Sequence, residues 1–182
     1  MSKKGAGIVG HADLIINDEV MSYGNYDGSS WRLHESVGDG VIFFAKKDGY
    51  IPFVIKDSEK TLFAFGLKLN EQQKTRVINR INEIKNNLYE WKPPVYSESN
   101  PPYAARLNHA VNTKFYKVKK GEFKTYFVLG TNCVKLVDSI VGKAGIDILE
   151  ISGIITPGVY YEYLDKEFAK PNTIVISKKI YN

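Results

Sequence analysis

The pattern that constrains this chain most lies in residues 8–23. Residues 8–16 read as a β-strand, Asn17-Asp18-Glu19 as a turn, and residues 20–23 as the returning strand. Strands joined by so short a turn pair antiparallel. Further strands are expected at 41–46, 53–56 and 61–69, and a closing strand at 173–180. Residues 115–119 and 124–129 read as a second hairpin turning at Gly121, and the stretch 24–40, rich in Gly, Ser and Asp, reads as a loop.

Helical signals alternate with these strands. Asn70 caps a helix with Gln73 three residues on, in capping-box spacing. Val77, Ile81, Ile84 and Leu88 then repeat at helical period, so a helix is expected from Glu71 to about Leu88. Thr131 is expected to cap a second helix, from Asn132 or Cys133 to about Val141, with Gly142 and Gly145 placed to end it. Thr156-Pro157 opens a third, running to about Phe168. Residues 92–103 hold four of the seven prolines and are read as an extended surface connection. The class is α+β, in one domain over 1–182, with a helix near 71–88 inserted and a proline-rich loop at 92–103.

At 182 residues and 43% hydrophobic content, the chain can bury a core without disulfides or metal. There is one cysteine, Cys133, so no internal disulfide and no multi-thiolate metal cluster can form. A buried structural thiol is the common role of a free cysteine. The string Leu129-Gly130-Thr131-Asn132-Cys133 instead sets the thiol in the first turn of a helix. There the unpaired N–H groups and the helix dipole favour a thiolate, and the same N–H groups can hold an oxyanion.

Three histidines are candidate bases: His11, His34 and His109. His34 falls in the polar loop, and His109 in Leu107-Asn108-His109-Ala110-Val111 reads as core or surface. His11 follows Gly10, whose missing side chain leaves room for another backbone or a substrate. No ligand spacing links the three, so no metal is expected, and no cofactor is called for.

Gly10-His11-Ala12, then a strand, a polar turn and a second strand, with Asn132-Cys133-Val134 and Val137 far downstream, resembles the circularly permuted papain-like cysteine hydrolases. That superfamily includes the lecithin:retinol acyltransferase group, permuted relatives of the NlpC-type cell-wall peptidases, and bacterial toxins. The resemblance covers about residues 7–25 and 126–145, with a weaker match at 156–164. It implies an antiparallel sheet or half-barrel with the nucleophile helix packed on it, Cys133 as nucleophile and His11 as base. It also implies a third polar residue on the strand after His11. With a three-residue turn, His11, Asp13, Tyr23 and Asn25 share one face, which nominates Tyr23 or Asn25; a two-residue turn puts Ser22 there instead. The acyltransferase group has a His where Tyr23 falls, and Glu-His-Phe where this chain has Val134-Lys135-Leu136.

The resemblance implies hydrolysis of an amide bond, first in peptidoglycan, by an amidase or endopeptidase of the antibacterial-effector type with an immunity protein as partner. A net charge of +5 suits an anionic wall polymer. Lipid acyl transfer or phospholipase action is the second reading; it needs an apolar patch beside Cys133, for which 41–65 is the candidate region. A non-catalytic binding module on the same fold is the third. No nucleic-acid motif, membrane span or Sec-type signal is read. The expectation is synthesis in the cytoplasm and export by a dedicated secretion system.

Overall fold

The computed structural model describes residues 10–59, 61–97, 99–145 and 156–182. Residues 8 and 9 of the expected first strand lie outside them. The strands are β1 (Leu14–Ile16), β2 (Glu19–Gly24), β3 (Val37–Asp39), β4 (Val41–Lys46), β5 (Leu62–Leu67), β6 (Leu88–Trp91), β7 (Lys114–Val118), β8 (Thr125–Phe127) and β9 (Val175–Tyr181). The helices are α1 (Lys47–Ser58), α2 (Glu71–Asn86), α3 (Tyr103–Val111), α4 (Cys133–Val141) and α5 (Pro157–Phe168). The fold is α+β. A five-stranded antiparallel sheet has the order β1-β2-β4-β7-β6, and β3-β8 and β5-β9 form two-stranded ribbons.

The alternation of side chains along the large sheet builds two cores. Met21, Tyr23 and Ile42 face one side, where they meet Val77, Ile81 and Ile84 of α2 and Cys133, Leu136, Val137 and Ile140 of α4. Val20, Val41, Phe43 and Phe115 face the other, against Tyr50 and Val54 of α1 and Ala104 and Leu107 of α3. Helix α2 therefore belongs to the same core as the Cys133 helix. Its cap is as expected: Asn70 Oδ1 accepts from Gln73 N, and Gln73 Oε1 accepts from Asn70 N, both at 2.9 Å.

Several local readings are corrected. The first hairpin turns on two residues: Ile16 pairs with Glu19 and Leu14 with Met21. Asn17 and Asp18 take φ of 49° and 61°, left-handed values that match the twist of the flanking strands and that Asn and Asp tolerate best after glycine. Residues 53–56 are not a strand but part of α1. Gly49 and Pro52 hide that helix in the sequence, yet Tyr50, Ile51 and Val54 recur at helical spacing and bury one stripe of it. The stretch 24–40 includes β3. The expected hairpin of 115–119 with 124–129 does not form: β7 pairs with β4 and β6, and β8 pairs with β3. Gly40 makes that arrangement possible, because its N–H donates to Lys124 O at 2.7 Å and a Cβ there would meet Phe123 O at 1.9 Å.

Candidate active site

The cap of α4 is Asn132, not Thr131. Its side chain accepts from Lys135 N at 3.1 Å, and its Nδ2 donates to Val128 O at 3.0 Å. Thr131 instead accepts through its backbone carbonyl from Phe127 N at 3.0 Å. The tight loop 127–132 thus delivers the chain from β8 into the first residue of α4, Cys133. Only Asn132 lies between loop and thiol, and its capping bond fixes where the helix starts.

His11 stands just outside the paired part of β1, the edge strand of the sheet. Gly10 beside it packs on α5, where an added Cβ would lie 3.3 Å from Pro157 Cβ. From this edge the imidazole meets both the Cys133 end of α4 and the side chains of β2. The contact with Cys133 acts on both partners. Burial pushes the Cys133 thiol up, but the His11 charge, a hydrogen bond with His11 and the Ala12 N–H bring it below the usual thiol value. Burial pulls His11 down, but the charges of Asp13 and of Cys133 lift it well above the usual imidazole value. Opposite shifts on two touching groups favour the thiolate–imidazolium pair.

The ring's other neighbours crowd Nε2. Ser22 Oγ lies 2.8 Å from it, Asp13 Oδ1 2.9 Å and Tyr26 Oη 3.2 Å. Nδ1 is therefore the nitrogen left to serve the thiol. Asp13 Oδ1 is close to Nε2 but has no aligned donor, so that contact is chiefly one of charge, and Ser22 Oγ is the aligned partner. Ser22 also bonds Tyr26 Oη at 2.8 Å, and Tyr50 of α1 donates to Asp13 Oδ2 at 2.8 Å. Burial raises the Asp13 carboxyl, but the His11 charge and the hydrogen bond from Tyr50 hold it below the usual carboxylate value. Tyr26 reaches back to His11 over Gly24, where an added Cβ would sit 2.8 Å from its ring.

Tyr23 and Asn25 are not the residues that orient His11. The two-residue turn reverses their parity: Tyr23 points into the α4 core and donates to Phe123 O at 3.1 Å, and Asn25 Nδ2 donates to Glu35 O at 2.7 Å. Ser22, the alternative attached to the shorter turn, takes the place beside His11. Asp13 was legible two residues from His11, where an extended backbone puts both side chains on one face; the structure starts β1 only at Leu14. Tyr26 and Tyr50 were not, because nothing in their local sequence marks them. Tyr126 was missed too: burial raises its hydroxyl pKa, as do the Cys133 charge and a hydrogen bond to Cys133, which sets this hydroxyl against the sulfur.

His34 and His109 lie elsewhere. His34 is exposed in a left-handed turn with φ 53°, and His109 stacks on Tyr96. Cys133 itself is only 1% exposed, whereas the His11 side chain is 37% exposed. A shallow depression of 610 Å³ lined by Lys47, Ile51, Lys56 and Lys179 shares no residue with this site. The apolar patch that lipid chemistry would need is not supplied by β4, since Val41, Ile42 and Phe43 are fully buried. Among the described residues, no helix is long and apolar enough to cross a membrane.

No protein-family model matches the chain, and neither does any curated protein or solved structure. Its function has to be argued from the side chains themselves.

Proposed function

We propose that the chain is a cysteine hydrolase of the permuted papain-like kind, with Cys133 as nucleophile, His11 as its base and acid, and Asp13 and Ser22 as the residues that orient His11. One placement carries this reading: Cys133, at the head of α4, lies in the core that Ala12, the neighbour of His11, packs against, and there the thiol and the imidazole favour each other's charged form. A structural thiol has no use for a cationic partner that is itself held by a carboxylate.

The chemistry follows from the parts. The Cys133 thiolate attacks a carbonyl carbon, forming a C–S bond and a tetrahedral oxyanion. The Cys133 N–H, in the first turn of α4, and the Tyr126 hydroxyl are the donors proposed to hold that oxygen. The His11 imidazolium gives its proton to the leaving nitrogen as the C–N bond breaks. Water then attacks the thioester carbon as neutral His11 takes its proton, and collapse of the tetrahedral oxyanion breaks the C–S bond, releasing the acid and restoring the Cys133 thiolate beside the His11 imidazolium. Asp13 and Ser22 keep Nε2 occupied so that Nδ1 faces the sulfur.

The substrate we propose is an amide bond in peptidoglycan, with the net charge of +5 drawing the protein to an anionic polymer. The test is digestion of purified cell wall by the wild type and by Cys133→Ala. New muropeptides with the wild type alone support the proposal, and identical profiles count against that substrate. Alkylation of Cys133 by iodoacetamide across pH tests the site apart from the substrate. The expected profile keeps a reactive thiolate well below the ordinary thiol value of about 8.5 and loses it in His11→Ala. An ordinary profile in the wild type would sink the catalytic reading.

A further inference from the structure

Residues 92–102 join β6 to α3 and have no part in the hydrolase site. Their two proline pairs are used differently. Pro102 is the N-cap of α3, and Tyr103, the first residue of that helix, stacks on Tyr26 with ring centroids 5.8 Å apart. That pair is spent on the fold. Pro93-Pro94-Val95-Tyr96 is not: none of the four lies in a helix or strand, Val95 is 90% exposed and Tyr96 41%. Each proline fixes its own φ and drives the residue before it toward extended backbone, which biases 92–94 toward polyproline II. A polyproline II helix repeats every three residues, so in that conformation Pro93 and Tyr96 share one edge and Val95 does not. The Tyr96 ring lies on His109, centroids 4.3 Å apart and planes at 12°, which keeps the partly exposed tyrosine at the surface.

We propose that Pro93-Pro94-Val95-Tyr96 is a docking peptide for a partner domain with an aromatic-lined polyproline groove of the WW type. Such a groove stacks proline rings on its aromatics and gains from a ligand whose backbone is already extended, which lowers the ordering cost of binding. An aromatic three positions after the first proline fills the next pocket, and the residue between is left free. This segment offers all three features in that order. It does not offer the Pro-x-x-Pro spacing that grooves of the SH3 type read, because residues 96 and 97 are Tyr and Ser. The stack on His109 is a contact the partner has to displace.

The test is titration of the purified full chain with an isolated WW domain that binds Pro-Pro-x-Tyr peptides, followed by amide chemical shifts. Saturable binding is expected. Tyr96→Ala and Pro94→Ala should each weaken it by more than about tenfold, as for buried anchors at an interface. Val95→Ala should leave it unchanged, and His109→Ala should tighten it about 2- to 10-fold by releasing the stacked ring. Cys133→Ala should bind like the wild type, which separates this proposal from the hydrolase reading. These positions are at the surface, and an unchanged far-UV spectrum and melting midpoint establish that each variant is folded. Absence of binding by the full chain, or binding that survives Tyr96→Ala, overturns the proposal.

Discussion

Asp13→Asn tests the orientation of the site with little change of shape. Asp13 Oδ1 lies 2.9 Å from His11 Nε2. His11 is more than a third exposed, so the dielectric of water is the cautious choice. At that distance the attraction is about 1.4 kcal/mol, or roughly one pKa unit on His11. A drier site would make the effect larger. The amide keeps an oxygen for the Tyr50 hydroxyl, so the packing against α1 survives. The sign is fixed by the raised value of His11: Asp13 favours the imidazolium, and its loss moves the titration midpoint down. Between the new midpoint and the old one the variant carries a neutral ring where the wild type carries a cation, and the thiolate loses its counter-ion there. The assay is NMR titration of the imidazole carbon-bound protons of His11 in the wild type and the variant. A His11 midpoint that moves by less than about 0.3 unit would refute Asp13 as its counter-charge.

Three further outcomes check other parts of the site. Tyr126→Phe removes the hydroxyl set against the sulfur, so the pH midpoint of Cys133 alkylation should rise while the melting midpoint holds; an unmoved alkylation profile would remove Tyr126 from the site. Asn132→Ala deletes the cap of α4 and should cost about 1 kcal/mol in urea unfolding, with a measured loss near zero arguing that the capping bond is not formed in solution. Gly40→Ala drives a methyl group into Phe123 O and the Tyr23 ring, and should cost more than about 3 kcal/mol or abolish folding; near-wild-type stability would contradict the close approach of residues 123–124 to Gly40.

Local chemistry was read well where one residue settles it. The Asn70–Gln73 capping box, the Thr156-Pro157 helix start and the 41–46 strand stand in the structure as the sequence writes them. Readings failed where a distant partner overrules the local signal. Helix α1 carries Gly49 and Pro52 and still forms, because Tyr50 and Val54 gain a core on the sheet face. Residues 124–129 turn away from β7 because Gly40 and β3 offer them a better edge.

The candidate site divides along the same line. Sequence alone supplied a lone cysteine at a helix start and a histidine at the head of a strand, since the number of thiols and the position in a first turn are properties of local order. Which residues hold the histidine was decided by tertiary structure. One residue more or less in the Asn17-Asp18 turn flips every side chain of β2 to the opposite face, exchanging Ser22 for Tyr23, and only the pairing of Ile16 with Glu19 fixes that parity. Tyr50 and Tyr126 arrive from elements far along the chain, and no local pattern can foretell such a meeting.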